Sequence, residues 1–309
     1  MSPPSLRFAC LQFSPVLKDP AASMEKADRL LERLQPGSLD VLMLPEMAFT
    51  GYCFKSRDDV APFVEDPETG FSAEWARKTA RRLQCYVLVG APTLGPSAPD
   101  TPPSAQPSFF NSLLVFSPTG ALLHKYSKHF LYETDETWAT PGPSFLTVDL
   151  PFPPSSPFHG EGKTFRAALA ICMDINPYRF EAPFDAFEFG TFAEREKAEV
   201  VLALMAWLDS EPPVEGEETD GEGEGWDAVR RTLGYWAMRT GPLLGSRAAL
   251  VCANRNGREG ETVFTGSSCA IELSDPPAVV AYAGKRREEL VQGVVRLRRG
   301  DNARGDEAE

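Results

Sequence analysis

Phe165-Arg-Ala-Ala-Leu-Ala-Ile-Cys172 is a mostly apolar run that stops on a thiol. Two other stretches have the same build: Val41-Leu-Met-Leu-Pro-Glu46 stops on a carboxylate, and Ala121-Leu-Leu-His-Lys-Tyr-Ser-Lys128 stops on an ammonium. Short apolar runs bounded by turn residues read as buried strands. Buried parallel strands commonly present their chemistry at their carboxyl ends. The three run-ends therefore mark where reactive groups are expected to gather, and the elements around them set the fold.

Working outward, residues 6–13 read as a buried strand, and residues 24–34 carry Ala27, Leu30, Leu31 and Leu34 at helical spacing. Residues 41–44 are the next strand. Residues 72–83 form a basic amphipathic helix with Ser72 as its N-cap, and 86–91 is a strand again. Residues 95–107 contain five prolines, which can hold neither a ladder nor a helix, and read as a hairpin insertion. Strands over 111–116 and 121–125 flank a Ser-Pro-Thr-Gly turn. Residues 151–163 are a second Pro/Gly/Ser-rich loop before the strand 165–171. Helical patterns follow over roughly 178–198, then a strand at 200–204 and a helix at 226–239. Strands at 249–253, 262–273, 279–282 and 290–297 close the chain. Early βαβ alternation interrupted by hairpins does not suit a parallel-only doubly wound sheet. Two packed mixed sheets with helices on the outer faces, an α/β sandwich, accommodate it. The expected organisation is a single domain over 1–299, with insertions at about 95–107, 151–163 and 209–227, and an acidic tail at 300–309.

The chain has 309 residues, 42% of them hydrophobic, enough for one large α/β domain. No apolar stretch reaches the roughly 20 residues needed to span a bilayer, and the start lacks the layout of a signal peptide. The expectation is a cytoplasmic protein with no membrane partner. The net charge of −13 is mostly local: residues 209–227 hold nine acidic side chains and no Lys or Arg, and the tail 301–309 adds −3. The remaining body is near neutral, so a basic face for nucleic acid is not expected. The six cysteines are widely spaced without a Cys-x-x-Cys pair, which reads as free thiols. The three histidines, His124, His129 and His159, are not at zinc-ligand spacing, so no metal and no cofactor are expected.

A thiol at a strand-to-turn junction can act as a nucleophile, because the turn exposes sulfur to a pocket and to backbone N–H donors. Cys172, followed by Met-Asp-Ile-Asn-Pro, has that setting; Cys10, Cys85, Cys252 and Cys269 lie inside strand patterns and read as inert core. Glu46 lies between a buried strand and a Gly-containing turn, where partial desolvation lifts a carboxylate toward the pKa of a general base. Lys128 leads into a segment with Phe130, Leu131 and Trp138, apolar neighbours that draw its ammonium inward. There it can hold a developing oxyanion or lower the pKa of a nearby thiol.

In conjunction, Pro-Glu46-Met-Ala-Phe-Thr-Gly, Tyr-Ser-Lys128-His-Phe and Ala-Ile-Cys172-Met-Asp resemble the Glu, Lys and Cys motifs of the nitrilase (carbon–nitrogen hydrolase) superfamily. The resemblance spans about residues 5–297. It implies an α-β-β-α sandwich and a catalytic triad of Glu46, Lys128 and Cys172. The segments running on from Lys128 and Cys172, together with Leu204-Met-Ala-Trp207-Leu, resemble one branch, the fungal protein N-terminal amidases. That branch converts N-terminal Asn or Gln of polypeptides to Asp or Glu and feeds the N-degron branch of protein degradation. The acidic 209–227 insertion and the Pro-rich 95–107 segment belong to no such pattern.

Under this reading the oxyanion sits between Lys128 and the backbone N–H of Met173. A substrate with a free α-ammonium requires a carboxylate, since an unpaired buried cation costs several kcal/mol. Asp174 and Glu136 are the candidates. By the resemblance Glu136 falls at an auxiliary glutamate, where it positions Lys128 instead of, or besides, binding substrate. Asp174 reads equally well as a cap, and Trp207 reads as either pocket wall or core. The partners expected are polypeptides with N-terminal Asn or Gln; no oligomeric state follows from the sequence. The alternatives are a small-molecule ω-amidase or another carbon–nitrogen hydrolase, for which Arg179 is the nearby basic residue, and a catalytically silent sandwich.

Overall fold

The structure, a computed structural model, describes residues 3–95, 106–213 and 225–297. Most of the 95–107 and 209–227 insertions, and the 300–309 tail, lie outside the described residues. Strands β1 (Ser5–Gln12), β2 (Val41–Met43), β3 (Tyr86–Leu94), β4 (Phe109–Phe116) and β5 (Leu122–Ser127) are followed by β6 (Leu146–Pro151), β7 (Thr164–Ile171), β8 (Val200–Met205) and β9 (Ala249–Asn254). A small hairpin, β10 (Arg258–Glu259) and β11 (Thr262–Val263), precedes β12 (Cys269–Glu272), β13 (Ala278–Tyr282) and β14 (Glu289–Arg296). The helices are α1 (Pro20–Leu31), α2 (Arg57–Val60), α3 (Phe71–Leu83), α4 (Glu133–Glu136), α5 (Glu188–Arg195) and α6 (Trp226–Arg239).

Two six-stranded mixed sheets result, ordered β14-β1-β2-β3-β4-β5 and β13-β12-β9-β8-β7-β6. In each, a central trio is parallel (β1, β2, β3 and β7, β8, β9), with antiparallel strands on both flanks. β1 shows why the sheets stack. Leu6, Phe8 and Cys10 enter the core shared with the second sheet. The alternate residues Ala9 and Leu11 pack with Ala27 and Leu31 of α1 and with Trp75 and Ala76 of α3. Period-2 side-chain alternation thus places one face of the strand between the sheets and the other beneath helices. On the far side, Phe189 of α5 and Leu233 and Trp236 of α6 cover the second sheet. The layering is α-β-β-α, as the sequence pattern indicated.

Local departures have local causes. The 72–83 helix begins one residue earlier, with Gly70 as N-cap, because the Glu65 carboxylate and not a serine hydroxyl accepts from Ser72 N at 2.8 Å. α1 starts at Pro20 and not near residue 24: Asp19 caps it by accepting from Ala22 N at 3.0 Å, and proline suits the first helical turn. The helical pattern expected over 178–198 contains a helix only at Glu188–Arg195, after a 3-10 turn at Tyr178–Phe180. The strand expected over 262–273 is split, because Gly266 and Ser267 both take positive φ (57° and 61°). β6 was not anticipated, although Leu146, Val148 and Leu150 alternate with polar residues.

Candidate active site

Glu46 follows β2, Lys128 follows β5, and Cys172 follows β7, so each reactive group sits one to three residues beyond a strand. β2 and β7 are largely buried, as the apolar pattern indicated, whereas β5 is an edge strand with only Tyr126 buried. The strand ends lie on both sheets, and the groups meet between them. Glu46 N donates to Met205 O at 3.3 Å, tying the first sheet to β8 of the second. Lys128 N donates to Asn111 O at 2.8 Å on β4. Gly90 of β3 lets the Glu46 turn come close: a Cβ there would lie 2.7 Å from Glu46 Cα, Met47 N and Pro45 O.

Lys128 and Glu46 are both fully buried, with Lys128 Nζ 2.7 Å from Glu46 Oε1. The second carboxylate on the ammonium is Asp135 Oδ2, at 2.5 Å and also fully buried. Asn111 Nδ2 donates to Glu46 Oε1 at 2.7 Å and to Asp135 Oδ1 at 3.0 Å. Tyr52 OH and Tyr132 N donate to Asp135 Oδ2 at 3.2 and 3.1 Å. The other oxygen of the catalytic-acid candidate, Glu46 Oε2, accepts from Ala206 N at 2.8 Å, just past β8. Cys172 lies buried near enough to this cluster for the Glu46 and Lys128 charges and the Ala206 N–H to act on its thiol. Thiol, carboxylate and ammonium therefore share one buried cluster.

Cys172 takes φ 42°, a left-handed conformation that costs a non-glycine residue of the order of 1–2 kcal/mol and turns the chain sharply out of β7. Asp174 holds that turn. Its Oδ2 accepts from Ile171 N and Tyr126 OH, both at 2.8 Å, and its Oδ1 from His129 N and Phe130 N at 3.1 and 2.9 Å. The carboxylate is a buckle between the segment carrying Cys172 and the segment carrying Lys128.

Electrostatics follow from burial. Desolvation pushes the Cys172 thiol well up, and the Glu46 charge adds to this while Lys128 and the Ala206 N–H oppose it. Glu46 is raised above the ordinary carboxylate range by desolvation, and Asp135 adds to the rise; Lys128 and Asn111 pull the other way. Burial works against the Lys128 ammonium, but Asp135 and Glu46 outweigh it and hold the lysine protonated. The resting cluster therefore carries a neutral thiol beside a carboxylate of raised basicity.

Two expectations are corrected. Glu136 is exposed and pairs with Arg179 at 2.8 Å; Asp135, one residue earlier on α4, lies against Lys128. Asp174 faces four donors in a fully buried position, which leaves its carboxylate spent on the chain and not open to a substrate amine. Trp207, half-buried beside Ala206, packs on Tyr235 and Trp236 with ring centroids 5.7 Å away in both cases, and its backbone N–H donates to Asn254 Oδ1. Met173, the residue after Cys172, is buried. Asn111, Asp135 and Tyr52 were not singled out from the sequence. Among the described residues, no group of three or more His, Cys, Asp or Glu side chains is arranged to hold a metal ion.

An α-β-β-α sandwich with an acid, a lysine and a cysteine meeting at strand ends has the groups that a hydrolase of carbon–nitrogen bonds needs: a base, a cation and a nucleophile. The chain belongs to the carbon–nitrogen hydrolase family, whose model matches residues 7–177. It is 33% identical over 292 residues to the protein N-terminal amidase of Schizosaccharomyces pombe, covering 89% of this chain and 94% of that one. The Saccharomyces cerevisiae protein N-terminal amidase is 29% identical over 79% of this chain, which spans about half of that protein (54%). Crystal structures of an N-terminal amidase with a Gln-Val peptide and with an Asn-Glu peptide share the fold, each with a TM-score of 0.78, 21% identity, and coverage of 94% of this chain and 98% of the other.

Proposed function

We propose that this amidohydrolase removes ammonia from the side-chain carboxamide of N-terminal Asn or Gln of polypeptides, with Cys172 as nucleophile. The observation that carries the mechanism is the fully buried Glu46–Lys128 pair, 2.7 Å apart, whose charges both act on the Cys172 thiol. Glu46 takes the thiol proton as sulfur attacks the carboxamide carbon, so that a thiolate forms only when an electrophile is in place. The Lys128 ammonium has three donors, two of them directed at Glu46 and Asp135; the third holds the oxyanion, with the Met173 backbone N–H beside it. A single oxyanion donor is worth roughly 3–4 kcal/mol of transition-state stabilisation. Glu46 then passes its proton to the departing nitrogen, ammonia leaves, and a thioester remains. Water, deprotonated by Glu46, hydrolyses the thioester to Asp or Glu and restores the thiol.

The likeness to N-terminal amidases over most of the chain supports the substrate class. So does the state of Arg179: a free-acid ω-amide would need a cation for its carboxylate, and this guanidinium is already paired with Glu136. Trp207, half-buried next to Ala206, forms a wall of the pocket in this reading. The product places the enzyme in the N-degron branch of protein turnover, acting in the cytoplasm. No helix among the described residues is long and apolar enough to cross a membrane. The chain acts as a single hydrolase domain.

The test is ammonia release from peptides led by Asn, Gln and N-acetyl-Asn, beside α-ketoglutaramate and an aliphatic nitrile, with Cys172→Ser as control. Turnover of the first two alone is expected. Equal turnover of the acetylated peptide, or activity confined to the two small molecules, overturns the substrate assignment.

A further inference from the structure

Asn111 is fully buried at the centre of the acid–lysine cluster, on β4 of the first sheet. Both of its amide hydrogens go to carboxylates, Glu46 Oε1 and Asp135 Oδ1. Its own Oδ1 has no hydrogen-bond partner among the described residues. A buried acceptor left unpaired is costly, and a residue kept only for packing would not need an amide here. The reverse orientation would set the amide oxygen against two carboxylates, so the cluster itself fixes which way the side chain points.

The consequence lies in how the two oxygens of Glu46 are loaded. Oε1 accepts from both Lys128 Nζ and Asn111 Nδ2, each at 2.7 Å, which fills its two lone pairs. Among the described residues, Oε2 accepts from Ala206 N alone, at 2.8 Å, and that N–H also acts on the Cys172 thiol. Only Oε2 has a lone pair left for a proton. We propose that Asn111 is a positioning residue that, by occupying Oε1, confines the mobile proton of Glu46 to Oε2, the oxygen held by the Ala206 N–H, from which it exchanges with the Cys172 thiol. In balanced form, the S–H bond breaks with its electron pair kept on sulfur while Oε2–H forms. Oε2–H later breaks as the leaving nitrogen gains the proton. Without Asn111, Oε1 has an open site facing Asp135, and a proton resting between the two carboxylates lies out of reach of sulfur. The inference rests on the roles assigned above to Glu46 and Cys172.

The test uses Asn111→Leu, similar in volume but without a donor, and Asn111→Asp, which keeps the shape and adds charge. Asn111 donates to the ionised form of Glu46 and holds its pKa down. Its loss therefore moves the acid limb of kcat/KM to higher pH, by about one unit for a charge-assisted bond in the leucine variant and by more in the aspartate variant. Above the limb, kcat falls roughly 10- to 100-fold with KM unchanged, because the proton is misplaced while the substrate surface is intact. A limb that stays put in both variants, or a raised KM with normal kcat, overturns the proposal. Alkylation of Cys172 by iodoacetamide, located by peptide mass mapping, gives the same limb without any substrate. If that limb shifts while the wild-type chain deamidates no peptide, Asn111 keeps its role and the substrate assignment falls. If peptides are turned over and neither limb moves, the positioning role falls alone.

Discussion

Replacing Asp135 by Asn separates this account from the one the sequence alone suggested. Asp135 and Lys128 are both fully buried and 2.5 Å apart, and Tyr52 OH, Tyr132 N and Asn111 Nδ2 also point at the carboxylate. Removing one partner of a buried ion pair typically costs 3–5 kcal/mol. Glu46 remains on Lys128 and Asn keeps one acceptor oxygen, so the loss is expected near the lower end, about 3 kcal/mol. The kinetic effect has a definite sign. Asp135 raises the pKa of Glu46 by like-charge repulsion, so its neutralisation lets Lys128 lower that pKa. The acid limb of kcat/KM then moves to lower pH, and the weaker base lowers the plateau by roughly 10- to 100-fold. The matched control is Glu136→Gln. That side chain forms an exposed pair with Arg179, of a kind worth about 0–1 kcal/mol, so stability and rate should stay close to wild type. Urea unfolding and the pH dependence of ammonia release read both variants. A silent Asp135→Asn beside a crippled Glu136→Gln would refute the assignment of Asp135 as the second acid on Lys128.

Three further outcomes follow from individual contacts. Asp174→Asn breaks a carboxylate facing four donors and is expected to cost about 3 kcal/mol and lower kcat with KM little changed; a raised KM at normal kcat would restore it as a substrate clamp. Gly90→Ala drives a Cβ to 2.7 Å from the Glu46 backbone and should cost more than about 2 kcal/mol in stability while depressing kcat, both absent if the turn can yield. Glu65, which caps α3, is pushed by burial from 4.5 to about 7. Between those pH values the folded state binds more protons than the unfolded, so this group's contribution falls as pH rises through the window. The shift corresponds to up to roughly 3 kcal/mol, and Glu65→Gln should gain in relative stability between pH 5 and pH 8; an unchanged difference in urea midpoints would contradict the burial argument.

The convergence of Glu46, Lys128 and Cys172 was legible because Glu46 and Cys172 follow apolar runs that form buried strands, whereas the strand before Lys128 is an edge strand with only Tyr126 buried. Asp135 was missed by one residue. Glu133, Asp135 and Glu136 lie in a single turn of α4, and which of them points inward depends on where that turn starts, at Tyr132. No period can be read from four residues. Asn111 sits among the apolar residues of β4, and its role exists only because Glu46 and Asp135 arrive from elsewhere in the chain. Asp174 was recognised as either a clamp or a cap; the choice needed the positions of Tyr126, His129 and Phe130, over 40 residues away in sequence. The sandwich was easier to read, since β1, β2, β3, β7, β8 and β9 are apolar on both faces and the hairpins between them exclude a purely parallel sheet.

The most direct measurement is the mass of the enzyme acid-quenched during a single turnover of an Asn-led peptide. The account predicts a transient adduct equal to the peptide less ammonia, located on Cys172 and missing from Cys172→Ala. Full deamidation by Cys172→Ala, or an adduct on any other residue, would contradict it.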